Sequence, residues 1–180
     1  TNFAMSGIDQ RHMGIELGFK VPLPVQGLSV EGALSWGEYI YTSTPRMTQT
    51  VDNSAEVVHD NAPVPYWASH PVYKKYTDDF GAVTYETDAD GNYIVEKNQK
   101  HYVPSTPQLA ANLGFNYRTN SYWFFEIDAQ YFANSYLDMN PLYRTDMAVA
   151  GPDGIATPVE IEYMAAQEKF DPVFLLNASV

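Results

Sequence analysis

The segment Gln108-Leu109-Ala110-Ala111-Asn112-Leu113-Gly114-Phe115-Asn116-Tyr117-Arg118-Thr119-Asn120-Ser121-Tyr122-Trp123-Phe124-Phe125-Glu126-Ile127-Asp128-Ala129-Gln130-Tyr131-Phe132 decides the fold class. Its odd positions from Leu109 to Tyr117 are apolar, and the even ones from Gln108 to Arg118 are small or polar. After Thr119-Asn120-Ser121 the alternation resumes, with Trp123, Phe125, Ile127, Ala129 and Tyr131 set against Glu126, Asp128 and Gln130. Side chains of a strand point alternately to opposite faces, so period two predicts a strand with one apolar and one polar side. Two such runs around a short polar turn predict a β-hairpin. Each run has the roughly 9–11 residues that a tilted strand needs to cross a bilayer. Trp and Tyr close the apolar rows, where amphipathic rings favour the headgroup level. The expectation is a hairpin with one face in lipid.

The same alternation occurs nearer the start. Met13, Ile15, Leu17, Phe19 and Val21 form one apolar row, and Leu28, Val30, Gly32, Leu34 and Trp36 form the next. Pro22-Leu23-Pro24-Val25-Gln26-Gly27 breaks the pattern and predicts a turn. Pairing Val21 with Leu28 sets Phe19 beside Val30 and leaves Lys20 diagonal to Glu31. At the other end Phe174, Leu176, Ala178 and Val180 alternate again. Five main strands are thus expected near 11–22, 27–42, 107–118, 122–133 and 172–180. Residues 1–9 read as irregular. The segments 43–106 and 134–171 lack sustained alternation and read as long loops, although Asp88-Ala89-Asp90-Gly91 between Ala82–Thr87 and Asn92–Glu96 is a good hairpin turn.

Short turn, long loop, short turn, long loop is the connection pattern of outer-membrane barrels, whose periplasmic turns are short and extracellular loops long. The predicted class is all-β: a fragment of an antiparallel transmembrane β-barrel. An odd number of strands with a cut final strand points to a segment of a larger barrel, because single-chain bacterial barrels have even strand numbers from about 8 upward. No long apolar run suitable for a transmembrane helix occurs, and no basic-then-apolar leader opens the chain. Net charge is −12, which opposes nucleic acid or anionic lipid headgroups as partners. The chain has no cysteine, so disulfides and thiolate chemistry are excluded.

Several strand-flanking phrases carry a family resemblance: Thr106-Pro107-Gln108, Leu113-Gly114-Phe115-Asn116-Tyr117-Arg118, Tyr122-Trp123-Phe124, Ala129-Gln130-Tyr131-Phe132 and Tyr136-Leu137-Asp138-Met139-Asn140-Pro141. Gly7-Ile8-Asp9-Gln10-Arg11-His12-Met13-Gly14-Ile15-Glu16 and Gln167-Glu168-Lys169-Phe170-Asp171-Pro172-Val173-Phe174 add to it. The chain resembles the C-terminal barrel part of TonB-dependent outer-membrane receptors of the Bacteroidetes type. The resemblance implies a barrel of about 22 strands closed by a plug domain. It implies a place in the cell outer membrane of a Gram-negative bacterium, in contact with its lipid. It implies import of a scarce small molecule (a siderophore or other iron chelate, cobalamin or a glycan) with energy delivered by the TonB complex. No residue here matches the plug or the N-terminal segment that contacts TonB. Such a protein is a transporter, not an enzyme, and needs no cofactor.

Tyr66, Trp67, His70 and Tyr73 are the ligand-contact candidates, since loops carry binding residues and aromatic rings suit sugars and planar chelates. The alternative is that these rings pack the long loop on itself. Asn112, Asn116, Arg118, Glu126, Asp128 and Gln130 are expected to face the lumen. Trp36, Tyr39, Tyr117, Trp123 and Tyr131, with Tyr41, Tyr122 and Tyr136, are expected at the membrane interfaces. No catalytic group is expected. Asp88-Ala89-Asp90-Gly91-Asn92 opens like a calcium loop but has Gln99 where the bidentate Glu belongs, so a turn explains it better. His12, His59, His70 and His101 lack metal-site spacing, although two of them can meet in space. Two other readings compete: a passive porin-like barrel, and a soluble β-sandwich carbohydrate-binding module with Trp67 as its platform.

Overall fold

The structure is a computed structural model that describes residues 2–54, 56–150 and 154–180. It is predominantly antiparallel β-sheet and divides into two compact units. The sheet unit comprises His12–Tyr39, Val103–Asp138 and Glu168–Val180; the loop unit comprises Thr1–Arg11, Ile40–Tyr102 and Met139–Gln167.

The sheet unit holds the five expected strands: β2 (Gln10–Pro22), β3 (Leu28–Tyr41), β10 (Leu109–Arg118), β11 (Phe124–Ala133) and β12 (Val173–Ser179). Their order is β12-β11-β10-β3-β2, with β10 joining the two halves by pairing with β3. The sheet is open, with β2 and β12 at its edges, and no closed barrel forms among the described residues. Registers run in step across it: Leu113 lies between Gly32 and Ala129, and Phe115 between Val30 and Ile127.

Two details differ from the sequence expectation. The second turn spans five residues, not three, because Arg118 pairs with Phe124. Thr119 closes it by accepting from the Trp123 amide on Oγ1 and donating its own amide to the Trp123 carbonyl, with Tyr122 at positive φ. Trp123 therefore belongs to the turn. In the first hairpin, Lys20 stands opposite Glu31 (Nζ to Oε2 2.7 Å), His12 stacks on Tyr39, and the Leu23 amide reaches the Leu28 carbonyl. These contacts share one register, shifted by two residues from the Val21–Leu28 pairing. A shift by two keeps every side chain on its face.

The segments expected to be irregular are built. In the loop unit β1 (Asn2–Ser6), β4 (Arg46–Thr50) and β5 (Val57–Pro63) form one sheet. Two further pairs are β6 (Ser69–Tyr73) with β9 (Val95–Lys100), and β7 (Lys75–Thr77) with β8 (Val83–Tyr85). The Asp88–Gly91 turn forms, but only a Thr87–Tyr93 bridge flanks it; β8 and β9 pair elsewhere. Pro141–Arg144 makes one 3₁₀ turn, followed by α1 (Asp146–Val149) and α2 (Pro158–Ala165). A capping box starts α2: the Glu160 carboxylate accepts from the Thr157 amide, and Thr157 Oγ1 accepts from the Glu160 amide. These strands are too short to show sustained alternation, and the partners of β1 and β6 also lie far along the chain. Thr157-Pro158-Val159-Glu160 is the local signal that announces the helix.

Candidate functional site

Two surfaces and one interior carry the chemistry. The first surface is the apolar face of the five-stranded sheet. Cross-strand pairing sets Leu28, Val30, Leu34 and Trp36 beside Leu109, Ala111, Leu113, Phe115 and Tyr117. Phe125, Ile127, Ala129 and Tyr131 follow, then Phe174, Leu176 and Ala178. Ile15, Leu17, Phe19 and Val21 extend the face on the other side, since Phe19 lies against Gly32. Its large side chains are exposed: Leu17 63%, Leu113 43% and Leu176 66%. A row from Leu109 to Tyr117 is about 27 Å long at roughly 3.4 Å per residue. Tyr117, stacked on Phe125 at 6.3 Å, ends the rows at one side, and Trp36 and Tyr131 lie near the other. Tyr39 is on the opposite face, where it stacks on His12 at 5.0 Å. Its odd position in β3 dictates this.

The second surface is the polar face. Asn112 pairs with Gln130 and Asn116 with Glu126, so the residues expected in the lumen do share one side. Asp128 Oδ2 accepts from Gln130 Nε2 at 3.1 Å and from Asn177 Nδ2 at 3.0 Å. The Arg118 guanidinium lies 4.4 Å from the centre of the Phe124 ring, a cation–π contact. Small residues Gly18, Ala33 and Ala110 leave a hollow of about 500 Å³ walled by Glu16, Asn112, Gln130 and Phe132.

The interior belongs to the loop unit, and it gathers the four aromatic candidates. Trp67 is only 4% exposed and packs on Tyr41, with ring centres 5.1 Å apart. His70 is buried against His101, Nδ1 to Nε2 2.8 Å. Tyr66 and Tyr73 are half-buried against a cluster of Val149, Ile161 and Ala165. Tyr73 also meets Tyr85 and Tyr93 edge to face. Trp67 and His70 are thus interior groups of the unit, and Tyr66 and Tyr73 are partly exposed.

Two charged groups missed in the sequence organise this interior. Glu162 on α2 accepts from the Tyr73 amide at 2.8 Å, from Lys75 Nζ at 2.5 Å and from the Tyr85 hydroxyl at 3.4 Å. Burial raises its carboxyl pKa, but the bonds from Lys75 and Tyr73 outweigh it, and the net shift is downward. Arg144, 6% exposed, donates from Nη1 to the Met164 carbonyl (2.7 Å) and from Nη2 to the Ala166 carbonyl (2.8 Å). A cation there satisfies carbonyls at the end of α2 and complements the negative end of its dipole. Burial pushes the guanidinium pKa down.

Among the described residues no three His, Cys, Asp or Glu side chains converge on a metal position. Asp88 spends Oδ1 on the amides of Asp90 and Asn92, both at 2.9 Å, as an Asx turn does. Comparison with protein families, with curated proteins and with solved structures finds no match to this chain.

Proposed function

We propose that the chain forms part of the wall of an outer-membrane barrel, in a TonB-dependent receptor that imports a scarce ligand. The single observation that carries the reading is the all-apolar, uncovered face of the five-stranded sheet. Exposed apolar patches on ordinary monomers reach roughly 300–600 Å² and mark interaction surfaces when larger. Four strands about 27 Å long and a shorter β12, at about 4.8 Å spacing, reach the top of that range on one continuous face. Lipid is the natural cover, because strand hydrogen bonds leave no backbone group unpaired inside the sheet. The open edges at β2 and β12 then continue into further strands of the same barrel.

A β-sandwich carbohydrate module needs a second sheet across this face, and the exposure of Leu17, Leu113 and Leu176 opposes that. A passive porin uses the same wall; the strand-flanking phrases favour the energised receptor. The loop unit is the ligand-facing part in this reading.

Because the chain has no cysteine, single cysteines report on each face cleanly. Placed at Leu17, Leu113 or Ile127 of the protein in outer-membrane vesicles, they should resist a water-soluble maleimide and quench with a lipid-confined probe. At Glu16, Asn112 or Glu126 they should label from water. Equal aqueous labelling of both rows would sink the proposal. Growth of a deletion strain on defined iron, cobalamin and glycan sources then identifies the ligand, by loss of growth on one of them.

A further inference from the structure

His70 and His101 are the only two histidines in mutual contact among the described residues, and their surroundings determine which atoms carry protons. The His101 ring is fully buried, and its Nδ1 lies 3.0 Å from the Trp67 carbonyl oxygen. A carbonyl only accepts, so Nδ1 carries the hydrogen and Nε2 of a neutral ring is left as acceptor. His70 Nδ1–H donates to it across 2.8 Å. The backbone of His101 ties the same place: its amide donates to the Ala68 carbonyl and its carbonyl accepts from the Tyr41 amide. Three segments therefore meet at one ring pair, namely the end of β3, the turn Val64–Ala68, and β6 with the residue after β9.

We propose that the His70–His101 pair is an acid-sensitive latch, which holds these segments together while both rings are neutral and releases them when the rings take up protons. One proton from solvent can be shared, with His70 changing tautomer to accept from a His101 imidazolium. That puts a full charge in a site walled by Trp67 and Tyr41. A second proton sets two N–H groups against each other across 2.8 Å with no acceptor between them.

The neighbours reinforce this. Arg144, from the 3₁₀ turn, opposes protonation of both rings, and Glu162, from α2, favours protonation of His70. The phenols of Tyr66 and Tyr73 pack on the Val149 cluster with raised pKa, chiefly by burial, so they stay neutral in acid. Burial, with smaller contributions from His70 and Arg144, holds the His101 ring down to about 4. Burial also lowers His70. The latch is closed at neutral pH and opens below the ordinary histidine range, a regulation of the loop unit separate from transport by the barrel.

Exchange of the imidazole C2 hydrogen for deuterium, read by mass spectrometry on the protein in detergent, reports each ring's titration. Backbone amide exchange over 64–73 and 97–103, corrected for intrinsic rates, reports opening. His101 should titrate at about 4 and His70 below about 6.5. Amide protection at His101 and Trp67 should fall with acid, by up to about tenfold per pH unit for each proton taken up. His101 titrating near 6.5, or amides that stay protected until the whole protein unfolds, overturns the latch. His70→Gln retains a donor toward His101 but cannot titrate, so its protection should fall less steeply. An unchanged slope in that variant also overturns the proposal. If the variant does not fold, the two wild-type measurements decide.

Discussion

Gly27 and Arg118 meet backbone to backbone: the Arg118 amide donates to the Gly27 carbonyl at 2.8 Å, and a β-carbon on Gly27 would collide with the Arg118 carbonyl oxygen. Gly27 also sits at φ +81°, the left-handed region. This contact joins the turn between β2 and β3 to the end of β10, two places about ninety residues apart in the chain. Gly27→Ala should cost about 1–2 kcal/mol from the backbone conformation alone and more from the overlap. The check is the urea midpoint of the protein in detergent; a variant as stable as the parent would contradict the close approach.

The apolar face predicts an asymmetry between adjacent residues. On the proposed barrel reading, Leu113→Arg puts a charge at the centre of the apolar row where it meets lipid and should destabilise the protein in a bilayer by about 2–4 kcal/mol. Asn112→Arg, one residue earlier and on the polar side, should cost well under half of that. Both sites are solvent-exposed or half-exposed in the bare chain. If the face met water, the two substitutions would behave alike, so unfolding in bilayers separates the alternatives.

Arg144 makes its own case. Removing it as Arg144→Met leaves the carbonyls of Met164 and Ala166 without their donors in a buried place, a loss of about 2–4 kcal/mol. Arg144→Lys should fall between, because an ammonium on a single stem does not span both carbonyls as the guanidinium fork does. Denaturation followed by amide exchange within α2 tests the order of the three proteins.

Acid should act on the loop unit in two steps. The His101 pKa is lowered, so its neutral ring contributes stability that is complete above about 6.5 and is lost as pH falls toward about 4. That interval is worth roughly 3 kcal/mol at about 1.36 kcal/mol per unit. Glu162 is also lowered, so its contribution persists above its ordinary value of 4.5 and is lost only as pH falls through the lower folded value. Glu162→Gln should therefore flatten the limb below 4.5, leave the His101 part of the upper limb intact and, by removing the carboxylate that favours protonation of His70, steepen the upper limb and not flatten it. At neutral pH it should cost about 1 kcal/mol, a modest figure because Lys75 remains partly in water. A flattened upper limb in this variant would assign the two steps wrongly.

Much of the sheet was legible in the sequence. The rows Leu109–Tyr117 and Phe125–Tyr131 declare their faces by period two, a property of each strand that needs no knowledge of its partner. Hence the five strands appear where the alternation put them, and Asn112, Asn116, Glu126, Asp128 and Gln130 share a side. The same parity places Tyr39 on that polar side, away from the apolar rows among which it was expected, and the sequence already contained that answer. The candidates Tyr66, Trp67, His70 and Tyr73 all fall in the loop unit, Trp67 against Tyr41, His70 against His101, and Tyr66 and Tyr73 against the Val149 cluster. Their burial was invisible, because it depends on Tyr41, His101, Val149 and Ile161, which come from distant parts of the chain.

By itself, then, the sequence determined strand positions, face polarity and turn chemistry at Asp88–Gly91 and Thr157–Glu160, all set by atoms within a few residues of one another. Tertiary structure alone decided that β3 pairs with β10 across some sixty residues, and that the first hairpin shifts by two. It alone brought His70 to His101 and set Arg144 on the end of α2. Those contacts depend on which distant groups can be buried together with their hydrogen bonds satisfied, and no local period encodes that choice.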